Sequence, residues 1–383
     1  MACSGRPGGD PVTNTVHGTV FVSGPVSGAV VVAYELDAES GEKLDKLAES
    51  EPTGPDGRFT LDLGPTVGLV LFEAAGPAAS WTEPASGSNA TFDGPTTLRA
   101  LAAERDPVSD RVSVGLELGT SATVAIGPIS ELAVAYALAL TDDNERPANE
   151  SLELSFELFR AHVEYDFWRV APSTMTDDAL GAFDENAQAA LLHLGLSHFA
   201  RRIANENHAS PGSLSSLTLL EALRADLIAG PVFDGQAGGG TPKRIGACVE
   251  EQLCLLSPRS ARGDWAESLV LFLAEPTNTT GFTYPDVRRL VDRMSHRESA
   301  LFYGAGGPAD TTPPKVTVTG LDPRGDLWRE NVPSHRRRRI RPRRGRRAAF
   351  SATRQTVYPR DGLRHPRKAN RFECKAIRHH VEV

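Results

Sequence analysis

Residues 15–75 decide the fold of the N-terminal third: TVHGTVFVSGPVSGAVVVAYELDAESGEKLDKLAESEPTGPDGRFTLDLGPTVGLVLFEAA. Turn residues bound five short segments rich in β-formers, which predicts five strands, at residues 19–23, 29–36, 46–50, 58–63 and 68–73. Apolar Phe59, Leu61 and Leu63 alternate with Thr60 and Asp62, so one face of that strand should be buried.

The turn between the third and fourth predicted strands has a clear chemical basis. In Thr53-Gly-Pro-Asp-Gly57, Pro55 presets φ and Gly57 accepts the positive φ that a tight turn needs. Further strands are expected at residues 90–92, 97–102, 112–118 and 123–126. The sequence therefore predicts an antiparallel β-sandwich over residues 15–128.

The period of the apolar residues changes at Pro128. Helical spacing follows in segments at residues 130–140, 151–168, 184–205, 218–229, 258–275 and 283–295. Ser130 is expected to cap the first of these helices, and a capping box from Thr218 to Glu221 is expected to open the fourth. An all-α domain over residues 129–304 follows from this pattern.

The turn-rich segment GTVFVSGPVSGAVVVAYEL with TGPDGRFTLDLG resembles the carboxypeptidase regulatory-like, transthyretin-like β-sandwich. That family implies a non-catalytic structural or binding module, often near the start of bacterial surface proteins. The chain as a whole resembles lipoproteins of high-GC bacteria. The resemblance lies in the order of its segments: the β-module comes first, then IGPISELAVAYAL, and then NTTGFTYPDVRRLVDRM. DTTPPKVTVTG at residues 310–320 resembles the opening of an immunoglobulin-like domain, which would be truncated within residues 305–331.

The cysteines suggest a compartment. Ala2-Cys3-Ser4-Gly5 resembles the end of a bacterial lipobox, which would make Cys3 a lipidation site and residues 1–14 a flexible linker to a membrane. An ordinary near-terminal cysteine is the alternative. Cys248 and Cys254 have five residues between them, which fits neither a redox pair nor a zinc knuckle. They are expected to form a local disulfide in an oxidising compartment, or else to be two buried thiols.

Charge divides the chain in two. Residues 334–383 hold 17 of the 41 basic side chains and 3 of the 49 acidic ones, so their net charge is +14. The net charge of residues 1–333 is therefore −22. The acidic body should repel nucleic acid, so no nucleic-acid partner is expected. Residues 332–383 are interpreted as a basic, disordered tail. A frame shift near Asn331 is the favoured hypothesis, and an arginine-rich arm that binds nucleic acid or heparin is the alternative.

No catalytic, cofactor-binding or metal-binding residue is predicted. The glycine-rich residues 235–243 lack the lysine position and leading strand of a P-loop. His193 and His198 are five residues apart, so they do not share a helix face as metal ligands would. One is expected at the surface and one in the packing.

The sequence as a whole favours a non-enzymatic, extracytoplasmic surface lipoprotein of a bacterial outer membrane or cell surface. It would serve a structural, adhesive or ligand-binding role toward an extracellular protein or glycan, and no cofactor is expected. The alternative is a secreted hydrolase or peptidase accessory protein with a site in the helical domain. Acid and base groups that converge in one cleft would favour that alternative.

Overall fold

The computed structural model describes residues 13–92, 96–144, 146–173, 180–206, 214–236, 241, 243–245 and 254–295. They all lie within one unit of the chain, Met1–Glu330. The expectations for Cys3, Cys248, the immunoglobulin-like start and residues 332–383 fall outside the described residues.

Strands occupy the first part and helices the second. The strands are β1 (Asn14–Val20), β2 (Val30–Leu36), β3 (Lys43–Glu49), β4 (Arg58–Gly64), β5 (Val70–Ala75), β6 (Ser80–Thr82), β7 (Asn89–Thr91), β8 (Leu98–Leu101), β9 (Ala103–Arg105), β10 (Val112–Val114) and β11 (Ser121–Ile126). The α-helices are α1 (Pro128–Asn144), α2 (Ala148–Val163), α3 (Glu185–Glu206), α4 (Ser216–Ala229), α5 (Trp265–Leu273) and α6 (Tyr284–Ser295). A π-helix at Ser260–Asp264 leads directly into α5.

Two larger sheets organise the strands, in the orders β11-β1-β4 and β3-β2-β5-β8. Two short hairpins, β6-β7 and β9-β10, complete the β-rich region. Antiparallel pairing dominates, as the sequence predicted, but β1 and β11 pair in parallel, with Thr15 opposite Ser121 and Val20 opposite Ile126. A local alternation pattern contains no information about which distant strand becomes a neighbour, so the sequence did not indicate this pairing.

The Gly57 turn is confirmed. Gly57 has φ of +72°, and a Cβ atom there would collide with the Val20 carbonyl oxygen. In β4, Phe59, Leu61 and Leu63 are buried while Arg58, Thr60 and Asp62 are exposed, as the alternation predicted. The first strand was misplaced, since β1 runs from Asn14 to Val20 rather than over residues 19–23.

Several helix boundaries differ from the sequence predictions, and three of them have a clear physical reason. Helix α1 begins at Pro128, so Ser130 lies in its first turn instead of capping it; proline suits the first helical position because its missing N–H has no partner there. Helix α4 is capped by Ser215, whose hydroxyl accepts from the Thr218 N–H at 3.2 Å. Helix α2 ends at Val163 because Glu164 adopts a left-handed conformation, with φ of 62°.

One continuous cluster of buried apolar side chains includes both the strands and the helices. Helix α3 is central to it, since most of its residues from Ala187 to Ala204 are buried on all sides. Among the described residues, no helix combines the length and the apolar character needed to cross a membrane.

Candidate functional site: a polar cleft beside Glu83

Glu83 is one of the buried carboxylates of the described residues, with 3 % exposure. It follows β6, one residue after Thr82. A carboxylate in the interior is costly unless donors surround it. The question is therefore what satisfies its two oxygens.

Five donors converge on Glu83. Its Oε2 accepts from the hydroxyls of Ser23 at 2.8 Å and Ser197 at 2.6 Å. Its Oε1 accepts from the indole N–H of Trp81 at 3.1 Å. The same oxygen accepts from the backbone N–H of Ser216 at 2.8 Å and from the Ser216 hydroxyl at 2.6 Å.

Helix α4 adds to this stabilisation. Ser216 is the first residue of that 14-residue helix, so the carboxylate lies at a helix N-terminus, where unpaired N–H groups and the helix dipole favour negative charge. A carboxylate has about four lone-pair positions, and five donors occupy them all. Glu83 is thus a fixed, saturated anion that joins the β-rich region to α3 and α4.

A cleft of about 220 Å³ opens beside this carboxylate. Its wall combines the apolar residues Ala85, Ala204 and Leu214 with polar residues from two parts of the chain. The polar wall comprises Glu83 and Ser86 with Ser197, Arg201 and Asn205 of α3.

Arg201 is the cationic group of the cleft. Its Nη1 donates to the Ala85 carbonyl oxygen at 2.9 Å, and its Nη2 donates to the carboxylate of Glu275. A guanidinium has five N–H groups, so three of them find no acceptor among the described residues. The side chain lines the cleft and is 30 % exposed.

Asn205 and Ser86 complete the accessible polar surface. Both are exposed, and the Asn205 amide forms no hydrogen bond with any other described residue. The Ser86 hydroxyl lies 2.6 Å from that of Ser88. The cleft therefore contains one carboxylate, Glu83, whose oxygens are fully hydrogen-bonded. It also contains N–H groups of Arg201 and an amide of Asn205 that have no hydrogen-bond partner among the described residues.

The two histidines of α3 do not form a site with this cleft. Both are buried, at 4 % and 5 % exposure, so the expectation of one surface histidine was wrong; α3 is packed on all sides and leaves no solvent face for either ring. His193 Nδ1 is 2.7 Å from the Ala189 carbonyl oxygen, and burial lowers its pKa to about 4. Burial, and then the charge of Arg201, lower the pKa of His198 to about 3.

Of the two cysteines predicted to pair, Cys254 lies within the described residues. Cys254 is fully buried and disulfide-bonded, while Cys248 lies outside the described residues, so their pairing stays a prediction. Within the described part of the chain, no group of three or more His, Cys, Asp or Glu side chains is arranged to hold a metal ion. Glu83 could not be predicted from the sequence, because a single glutamate between short strands belongs to no motif of characteristic spacing.

Comparison with known proteins adds little. No family model matches the chain, and no curated protein matches it. One solved structure, the dioxygenase domain of a dioxygenase carbohydrate-binding protein fusion from the cellulolytic bacterium Streptomyces sp. SirexAA-E, aligns with 30 % of this chain and 79 % of its own at 18 % identity. The TM-score of 0.17 is too low to support any argument about fold or function.

Proposed function

We propose that this chain is a non-enzymatic, extracytoplasmic binding protein and that the cleft beside Glu83 is its ligand site. The proposal rests on one observation. Arg201 lines a cleft of about 220 Å³, and three of its N–H groups have no acceptor among the described residues. Specific small-ligand sites typically combine a concave surface with a few fixed polar groups. Here Glu83 and its five donors fix the floor, which limits the reorganisation that binding would require.

The state of Glu83 supports a binding role over a catalytic one. A general base needs a free lone pair directed at the proton that it removes. The lone pairs of Glu83 are occupied, and the nearby serine hydroxyls donate to it. Within the described residues, no imidazole is hydrogen-bonded to Ser23, Ser197 or Ser216, so these hydroxyls lack the usual activating base.

The proposal also includes the type of fold and a membrane anchor. The sheets β11-β1-β4 and β3-β2-β5-β8 would form a β-sandwich of the carboxypeptidase regulatory-like type, followed by a helical domain. A lipid on Cys3 would anchor the protein at a bacterial surface. These points rest on the residues of the N-terminal segment and of the β-rich region. Mass spectrometry of protein extracted from native membranes tests the anchor, and an unmodified Cys3 would overturn it.

A ligand panel tests the binding role. Thermal unfolding of the full chain would be followed with the twenty amino acids, common monosaccharides and small dicarboxylates, each added separately. A ligand that binds only the native state raises the Tm. The matched control is Ser86→Trp, which places a large side chain at an exposed position of the cleft wall. A Tm rise that is lost in S86W supports the proposal. A rise that persists in S86W, or no rise with any compound, contradicts it.

A further inference from the structure

We infer that the ligand of this cleft is a small carboxylate held by the free N–H groups of Arg201. This inference rests on the proposed binding function and names the class of ligand. It follows from counting which hydrogen-bonding groups of the cleft wall are still free.

The free groups are predominantly donors. Arg201 has three N–H groups without an acceptor among the described residues. Glu83, the acidic group of the wall, has no acceptor capacity left after its five hydrogen bonds. A ligand that presents donors, such as an amine, would therefore find no free carboxylate in the cleft. A ligand that presents acceptors would satisfy the guanidinium.

An ionised acceptor gains a charge-assisted hydrogen bond from Arg201, which the negative charges of Glu83 and Glu275 offset in part. The negative charge of Glu83 lies at the N-terminus of α4, where the helix dipole and four further hydrogen-bonding groups offset part of it. Arg201 donates once from Nη1 to Ala85 and once from Nη2 to Glu275, so Nε–H and one N–H on each Nη have no acceptor among the described residues. Guanidinium groups bind carboxylates through two parallel hydrogen bonds, and these are stronger than neutral ones.

The volume limits the ligand's size. At about 220 Å³, the cleft is smaller than the pockets of about 300–1,000 Å³ that hold drug-sized ligands. Its size therefore suits a small molecule such as a short dicarboxylate or a small amino acid. The Asn205 amide, at the end of α3, can bind a second polar group of such a molecule.

Trp81 offers a direct readout, because its indole N–H donates to Glu83 on the floor of the cleft. The full chain would be labelled with 5-fluorotryptophan, and the Trp81 signal would be assigned by its loss in Trp81→Phe. The probes are acetate, malonate and succinate, with acetamide, malonamide and succinamide as uncharged counterparts and propylammonium as the cation. We expect the carboxylates to shift the Trp81 fluorine resonance and the uncharged and cationic probes to bind more weakly.

Two variants locate the site. Arg201→Lys keeps the charge but removes the planar fork, and should weaken succinate binding about tenfold. Asn205→Asp adds a negative charge at an exposed position and should weaken it about fivefold, with little effect on fold. The matched control is Arg202→Lys: Arg202 is the next residue on α3, is not part of the cleft wall and lies near Glu206 and Glu267.

The outcomes separate the inference from the function on which it rests. Tighter binding of carboxylates, weakened in R201K and N205D but not in R202K, supports the inference. Equal or tighter binding of the amides or of propylammonium overturns it and leaves the binding function standing. A Trp81 resonance that no probe of the panel moves, together with no Tm rise in the wider panel, overturns both.

Discussion

The carboxylate of Glu83 accepts two hydrogen bonds from one residue, Ser216, through its backbone N–H at 2.8 Å and its hydroxyl at 2.6 Å. The two residues are 133 positions apart in the chain. Glu83 follows a short strand, and Ser216 begins α4, so this contact ties the β-rich region to the helices. It also fixes the floor of the cleft.

Removal of the Glu83 carboxylate should destabilise the protein substantially. In Glu83→Ala, the Trp81 indole N–H and the Ser216 backbone N–H lose their acceptor inside the molecule. A buried donor without a partner costs about 1–3 kcal/mol, so we expect a loss of about 3 kcal/mol or more in the free energy of unfolding. Urea unfolding measures it. Glu104→Ala, at an exposed position of β9, is the control and should change the stability by less than about 0.5 kcal/mol. Equal stabilities of E83A and E104A would contradict the role given to Glu83.

A second buried carboxylate, Glu131 of α1, should be comparably important. It is 1 % exposed and pairs with Arg99 of β8 at 2.7 Å and with Arg224 of α4 at 3.5 Å. Glu131→Gln removes the ion-pair partner of the largely buried Arg99 guanidinium, and breaking such a pair typically costs about 3–5 kcal/mol. Lys46→Ala serves as the control, because Lys46 pairs with Glu49 on the surface and such pairs contribute about 0–1 kcal/mol. A loss in E131Q no larger than that in K46A would show that the Glu131 pair is energetically neutral.

His198 should make the stability depend on pH. Burial, with the charge of Arg201, lowers the pKa of His198 to about 3, below the value of about 6.5 expected when unfolded. As the pH falls below about 6.5, His198 becomes protonated in the unfolded chain but stays neutral in the folded protein. The free energy of unfolding therefore decreases until the pH reaches about 3. Between pH 7 and pH 5 this amounts to about 2 kcal/mol.

The matched variant is His198→Phe, which retains a ring against Phe272, whose centroid lies 4.0 Å from that of His198. Urea unfolding of both proteins at pH 7 and pH 5 should show a smaller loss in H198F, by about 2 kcal/mol. Parallel pH profiles of wild type and H198F would mean that His198 takes up a proton in the folded state near its ordinary pKa.

Peptide mapping tests the cysteine prediction. Cys254 is disulfide-bonded, and the sequence analysis expects Cys248 as its partner. Cleavage after Glu250 or Glu251 separates the two cysteines, so their peptides should stay joined without reductant and separate with it. Linkage of Cys254 to Cys3 or Cys374 would contradict the expected local pairing.

The sequence by itself determined the local structure of this protein. The alternation of Phe59, Leu61 and Leu63 gives β4, and the positive φ of Gly57 gives its turn, because both depend on neighbouring residues only. The change of period at Pro128 likewise marks the start of α1. Helix ends were less predictable where the chain offered competing signals, as at Ser215 and Thr218.

Only the tertiary structure decided the parallel pairing of β1 with β11, the burial of His193 and His198, and the cleft itself. Periodicity reports which face of an element is apolar, but not which distant element covers that face. Glu83 receives its donors from Ser23, Ser197 and Ser216, which come from three separate parts of the chain. Such a site exists only once packing has brought those parts together, because each single residue is an ordinary polar residue within its own segment.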